Sequence, residues 1–446
     1  MVEALTAVVG ARHVLVDPEL TGAYTTDWTG RFRGAAAAVV RPADTDEVAA
    51  VVRTCAAHGT SIVVQGGNTG LVGGAVSAAD QVVVNLQRLD AVTDVDPSTG
   101  QLTAGAGVTI ARLHDAARDA GWDYGVDFGA RDSATVGGSI ATNAGGIRLL
   151  RHGDTRRQLL GVEAVMADGS VISHLSGLEK DNTGYHLAGL LCGSEGTLGI
   201  VTAARLRLVA GTDERVVALL AFADVTTAVE AAWTLRHDLP TLDAAELFLA
   251  DGLDLVCRSL DLRRPFPEHH AAYLLVEAAG TSDPTAELAA AIDRLGAADV
   301  AVATDARRRA ELWRYREAHT EAINTVGAPH KLDVTLPAPV LAAFFDEVVE
   351  AVRTVAPDAR TWLFGHAADG NIHVNITGVD PADETVDDAV LQLVAARGGS
   401  ISAEHGIGTA KRRWLHLARS PAELAAMRAI KQALDPSDLL NPAVLF

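Results

Sequence analysis

The chain has 446 residues, 48% of them apolar, enough for two or three cores at roughly 100–200 residues per domain. A formal net charge of −20 argues against nucleic acid and anionic membrane surfaces as partners. No apolar stretch reaches the roughly 20 uninterrupted residues that a transmembrane helix needs. Cys55, Cys192 and Cys257 lie far apart with no CxxC pair, which excludes a disulfide framework and a cysteine-based zinc or iron–sulfur site and fits a reducing compartment.

Met1–Thr6 lacks a basic segment followed by an apolar one, so no signal peptide is read and a cytoplasmic protein is expected. From about residue 35 to 210, short strands, glycine loops and helices alternate. Ala37–Val40 reads as a strand. Asp44 then starts a helix with Glu47 three residues on, a capping-box variant, and Val48, Val51, Val52 and Cys55 form its buried stripe. Ser61–Gln65 is a strand that runs straight into Gly66-Gly67, and Val82–Leu86 is another. Gly161–Ile172 predicts a hairpin turning at Asp168-Gly169.

Three stretches in this half are rich in glycine: Gly66-Gly67-Asn68-Thr69-Gly70, Gly129–Gly146 and Gly193–Ile200. Glycine permits positive φ and lets several backbone N–H groups crowd one anion, as a pyrophosphate requires. Neither a Walker Gly-Lys-Ser/Thr nor a GxGxxG is present, which disfavours an NTPase or a simple NAD domain. In order and spacing the three stretches resemble the FAD-binding domain of the vanillyl-alcohol oxidase / p-cresol methylhydroxylase superfamily. That resemblance implies that Gly66, Gly67, Asn68, Thr69 and Gly70 hold the pyrophosphate of FAD. It implies that Ser133, Gly137, Gly138, Ser139 and Thr142 line the flavin and its phosphates, with Ile200 on the adenine side. Members with covalent flavin often carry His in the first loop, where this chain has Asn68; FAD is therefore expected to be non-covalent.

From about 215 to 360 the pattern changes. Strand candidates Val216–Phe222, Ala245–Leu249, Tyr273–Ala278, Val300–Ala303, Leu332–Leu336 and Thr361–Phe364 alternate with amphipathic helices. This predicts an α+β domain with an antiparallel sheet covered on one face. Arg316 and Thr320, four apart on a predicted helix, share a face. Lys331 could add a point charge to the fork of Arg316. By position alone Arg316 reads as a solvated helix arginine like Arg307, Arg308 and Arg309. The tail from about 400 to 446 reads as helical, with Ala422–Leu434 stopping at Asp435-Pro436.

Downstream lies Gly365-His366-Ala-Ala-Asp-Gly-Asn371-Ile372-His373-Val374-Asn375. Asp369-Gly370 predicts a turn that brings His366 and His373 together, and His373 and Asn375 face one side of a strand. Glu404-His405 follows in a glycine-flanked segment. Two imidazoles and a carboxylate suit Zn²⁺ or Mn²⁺ with open positions. His13, His58, His114 and His416 show no comparable context and read as structural.

GHxxDGNxHxN followed by SAEHGIG resembles the C-terminal domain of FAD-linked 2-hydroxyacid dehydrogenases, a group that includes D-lactate dehydrogenases, glycolate oxidase subunits and D-2-hydroxyglutarate dehydrogenases. With the FAD domain, the resemblance covers nearly the whole chain. It implies a two-part FAD-binding domain over 1–210, with its core at about 35–210. An antiparallel-sheet, ferredoxin-like substrate domain follows over 211–400, then a helical C-terminal segment, 401–446, returning to the flavin. It implies that His366, His373 and Glu404 ligate a divalent metal (Zn²⁺ first, Mn²⁺ or Fe²⁺ next) and that His405 is the general base. Asn375, Arg316, Thr320 and Lys331 would then hold the substrate. Arg316, Thr320 and Lys331 match the positions at which D-2-hydroxyglutarate dehydrogenases hold a carboxylate. The expected activity is therefore oxidation of a D-2-hydroxy acid, with D-2-hydroxyglutarate ahead of D-lactate or glycolate. Electrons would pass to an electron-transfer flavoprotein, a quinone or a cytochrome, and the assembly implied is a homodimer. A metal-dependent hydrolase and a non-catalytic flavin-binding subunit are the competing readings.

Overall fold

The computed structural model describes all 446 residues. They form two compact units: one of residues 1–146, 152–211 and 404–446, the other of 147–151 and 212–403.

The first unit contains two main sheets. The smaller has the strand order Val14–Leu15, Ala38–Val40, Val82–Asn85, Ile62–Gln65, and its last three strands are parallel. The helix Thr45–Ala57 crosses between two of them, as a parallel connection requires. Its cap differs in one detail from a capping box. Asp44 accepts from Glu47 N (2.8 Å), but Glu47 reaches back to Ala43 N (2.7 Å), one residue before the cap. Val48, Val51, Val52 and Cys55 all bury against the sheet. The larger sheet is antiparallel, five-stranded, in the order Val92–Asp96, Gln101–Gly105, Ile200–Arg207, Leu159–Val165, Val171–His174. The hairpin between its last two strands turns at Asp168-Gly169, where Gly169 takes φ 77°.

Of residues 400–446, only Pro421–Leu434 forms a long helix, capped by the reciprocal Ser420/Glu423 pair; the expectation of a helical tail holds for that part alone. The remainder is irregular apart from the short turns Arg412–Trp414 and Leu415–Ala418, because many of its backbone bonds go to the rest of the unit. Ile62 N donates to Leu439 O (2.7 Å) and Asn441 N to Ile62 O (2.8 Å), and Leu440 is fully buried. Lys431 Nζ bonds the carbonyls of Thr197 (3.0 Å) and Leu440 (2.8 Å).

The second unit is built on one antiparallel seven-stranded sheet in the order Asp299–Ala303, Glu214–Phe222, Ala272–Gly280, Leu242–Leu249, Arg360–His366, Asn371–Thr377, His330–Thr335. Helices cover both of its faces, not one. Val217, Leu219 and Ala221 face Leu253, Val256, Trp313 and Ile323. Their alternate neighbours Val216, Ala218 and Leu220 are as deeply buried, with helices Val225–Asp238 and Ala338–Val355 on that side. Seven consecutive buried positions, 216–222, require cover on both faces, because successive side chains point to opposite sides.

Candidate active site

The strand Ile62–Gln65 ends on the glycine loop because the second loop leaves no space for a side chain. A Cβ on Gly67 would lie 1.8 Å from Ser133 O, one on Gly66 2.3 Å from Thr135 Oγ1, and one on Gly137 2.7 Å from Ala106 Cβ. A Cβ on Gly70 would meet nothing within 4 Å. Asn68 takes φ 54°, a conformation that Asn tolerates better than most residues. Its amide donates to Thr26 O (2.8 Å) and Ala23 O (3.3 Å). Ser139 and Thr142 turn their hydroxyls back to Thr135 O and Gly138 O of their own helix (3.1 Å each).

These loops wall a cavity, with Gly66, Gly137 and Gly138 among its lining. Where Gly66, Gly137 and Gly138 line it, no side chain keeps a ligand from the backbone. FAD fits such a cradle. Ile200 is fully buried in the core; its neighbours Gly199 and Val201 reach the cavity instead. Thr135, Glu195 and Asn441 also line it, and sequence reading did not single them out.

Glu195 has φ 51°, and its carboxylate accepts from Ile407 N (2.9 Å) and Gly408 N (2.7 Å). Burial pushes its carboxyl up from the usual range, while those two donors pull it down. Glu404 Oε1 accepts from Gly146 N (2.7 Å). The segment carrying Glu404 and His405 is thus tied on both sides to the glycine loops of its own unit.

In the second unit, the hairpin Arg360–His366 / Asn371–Thr377 pairs Phe364 with His373 and brings the rings of His366 and His373 to 5.4 Å between centroids. Each ring meets a buried carboxylate at Nδ1: His366 meets Glu246 (2.5 Å) and His373 meets Asp333 (3.1 Å). In a neutral ring whose Nδ1–H donates to a carboxylate, the lone pair sits on Nε2, the arrangement of metal-ligating histidines. Both histidines therefore fit a divalent cation. Asn371 Nδ2 donates to the same Asp333 oxygen, Oδ1 (2.7 Å).

Asn375 pairs with Lys331 across the edge of the sheet, and its amide lies 3.5 Å from His373 O. Burial lowers the Lys331 ammonium to about 8. Arg316 is buried, its guanidinium 4.6 Å from the Phe364 ring centroid and its Nε 2.7 Å from Glu246 Oε2, an ion pair rather than an aligned hydrogen bond. Burial would raise the Glu246 carboxyl, but His366 and Arg316 hold it down at about 2. Thr320 sits on a separate short helix, His319–Asn324, because the predicted helix breaks at Ala318; the expected shared face with Arg316 is therefore interrupted. His319 is wedged between the Phe248 and Phe364 rings (5.1 Å each), and burial lowers it to about 3. His330 bonds Asp387 (2.5 Å) and Asp380 O (3.0 Å). Both ring nitrogens of His330 are thus engaged, whereas His319 bonds only Arg316 O through Nδ1 (3.2 Å) and its buried Nε2 has no hydrogen-bond partner. Glu246, too, was not singled out from the sequence; it lies in the strand Leu242–Leu249, where Asp243 is a second buried acid.

Two families match the chain: an FAD binding domain over residues 36–174, and the C-terminal domain of FAD-linked oxidases over residues 212–445. D-2-hydroxyglutarate dehydrogenase of Xanthomonas citri pv. viticola is 38% identical, over 99% of this chain and 96% of that protein. The mitochondrial D-2-hydroxyglutarate dehydrogenase of Arabidopsis thaliana is 33% identical, over 98% and 79%. Among solved structures, p-cresol methylhydroxylase with substrate bound has a TM-score of 0.80 at 18% identity (100% of this chain, 96% of the other). Alkyldihydroxyacetonephosphate synthase has a TM-score of 0.77 at 17% identity (99% and 84%), and both structures share the fold. The chain thus belongs to the FAD-linked oxidase family, in the group that contains the D-2-hydroxyglutarate dehydrogenases.

Proposed function

We propose that this chain is an FAD-dependent dehydrogenase that oxidises D-2-hydroxyglutarate to the 2-oxo acid. Near full-length likeness to D-2-hydroxyglutarate dehydrogenases carries this reading. The first unit serves as the FAD domain and the second as the substrate domain. FAD, when bound, supplies the acceptor for the C2 hydride. It is held non-covalently, a reading supported by Asn68, whose amide is engaged by two backbone carbonyls. A divalent cation, Zn²⁺ first, would be held by His366, His373 and Glu404, and would supply Lewis acidity toward the substrate oxygens.

The chain's own groups do the rest. His405 takes the hydroxyl proton, a contribution typically worth about 10² to 10⁴ in rate. Asn375 orients the reacting end. Arg316 and Lys331, with Thr320, hold the distal carboxylate, which a lactate-sized acid lacks. Electrons leave to a separate acceptor, an electron-transfer flavoprotein or a quinone. No helix is long and apolar enough to cross a membrane. Action in the cytoplasm as a homodimer completes the reading; the three unpaired cysteines support the reducing compartment.

The test is anaerobic mixing of the FAD-loaded protein with D-2-hydroxyglutarate, D-lactate and glycolate, before and after chelation. D-2-hydroxyglutarate should bleach the flavin fastest, and chelation should stop bleaching without releasing FAD. If no acid bleaches the flavin with metal present, the proposal fails.

A further inference from the structure

We propose that Glu246 is a positioning residue shared by the two ends of the substrate site: one carboxylate orients both His366 and Arg316, and so sets the length of acid that the site accepts. The inference rests on the dehydrogenase reading above and deepens it.

Glu246 lies on the central strand of the seven-stranded sheet and is 1% exposed. Ala244 and Phe248, two residues to either side on the same face, belong to the apolar core. A lone carboxylate there is costly, and an apolar residue of similar volume would serve stability as well or better. Its two oxygens are divided. Oε1 meets Nδ1 of His366 and Oε2 meets Nε of Arg316. With Nδ1 engaged, His366 presents Nε2 as its ligand atom. With Nε ion-paired to Glu246 and the guanidinium over the Phe364 ring, the Nη1/Nη2 edge of Arg316 is the one that would take a carboxylate. The spacing between the metal-facing and carboxylate-facing groups is therefore transmitted through one side chain whose strand sits in the middle of the sheet.

A glutamine at this position isolates the role. It keeps the volume but has one acceptor oxygen. Whichever donor that oxygen serves, the amide NH₂ faces the other donor. Glu246→Gln should therefore bind Zn²⁺ about 10- to 100-fold more weakly. It should also bind 2-oxoglutarate, read by the flavin difference spectrum, at least about tenfold more weakly, within the range for a lost charge-assisted bond. The KM for D-lactate, which has no distal carboxylate, should change less than that for D-2-hydroxyglutarate, so the preference between the two narrows.

The experiment uses metal-stripped, FAD-loaded full-length protein titrated with Zn²⁺ against a chromophoric chelator, and the zinc-loaded protein titrated with 2-oxoglutarate. Glu246→Asp, which keeps the charge but retracts it by one methylene, provides the same measurements if the glutamine variant does not fold. Loss of both affinities supports the inference. Both affinities within twofold of the parent, or a loss in one alone, overturns it. A parent protein that binds no Zn²⁺, or whose flavin no 2-hydroxy acid reduces, overturns the underlying dehydrogenase reading instead.

Discussion

Replacing Gly67 by alanine should eject the cofactor, while the same change at Gly70 should leave the protein intact. At Gly67 the new Cβ would sit 1.8 Å from Ser133 O and 2.7 Å from Ser133 C. Carbon and oxygen normally approach to about 3.3 Å, so one backbone must move by roughly 1.5 Å. The obstacle is main chain, not the end of a flexible side chain, which puts the penalty at the upper end of overpacking, about 3 kcal/mol. At about 2–4 °C per kcal/mol for a domain of 150–250 residues, the melting temperature should fall by about 6–12 °C. The two loops forced apart are the walls of the cavity, so flavin stoichiometry should collapse with it. At Gly70 no heavy atom lies within 4 Å, and the apoprotein should melt within about 2 °C of the parent, as an uncrowded substitution does. The assay is paired: the ratio of flavin to protein absorbance, and thermal unfolding with and without added FAD. A Gly67→Ala protein with full flavin and a shift below about 2 °C would refute the crowding argument.

Two further outcomes follow from the second unit. Lys331, lowered to about 8 by burial, is charged below that pH and neutral above it. The KM for D-2-hydroxyglutarate should therefore rise as pH passes 8, and Lys331→Met should show a KM raised by about tenfold or more at neutral pH and no such rise above 8; a parent KM flat through 8 would remove Lys331 from the clamp. Arg215 bonds Asp243 (2.8 Å) and Glu277 beneath the sheet, with Arg148 and Arg151 within 4 Å of Asp243. Arg215→Ala leaves buried acids undercompensated and should cost about 3 kcal/mol, the low end for breaking a buried pair because those arginines remain. Urea unfolding followed by far-ultraviolet circular dichroism would measure it; a loss below about 1 kcal/mol would be too small for that network.

Local signals were the legible ones. A strand running into Gly66-Gly67, a cap at Asp44 and a turn at Asp369-Gly370 involve residues a few positions apart, so the chain itself displays them. The cover on both faces of the sheet was displayed too, as the unbroken apolar run Val216–Phe222, but a run of that kind is also compatible with a buried helix segment. The role of Glu246 was not legible, because its partner His366 lies 120 residues away. The carboxylate of Glu195 was hidden for the same reason: the glycines around it announce a loop, while its partners at Ile407 and Gly408 come over 200 residues later. The break at Ala318 escaped because alanine is a good helix former, so intrinsic preference gives no warning there.

The return of residues 404–446 to the first unit has a consequence for biosynthesis. Leu439 and Leu440 belong to the core that packs on the strands Ala38–Val40 and Val82–Asn85. During translation, at about 5–20 residues per second, the segments that make up the second unit have all emerged before that core can be completed. The order of maturation is thus the reverse of the order of synthesis: the nucleotide-binding unit is begun first and finished last. Until Asn441 reaches Ile62 and Glu195, the glycine loops lack one of their clasps. Acquisition of FAD is thereby a late event in the life of the nascent chain, one that follows emergence of the whole seven-stranded sheet.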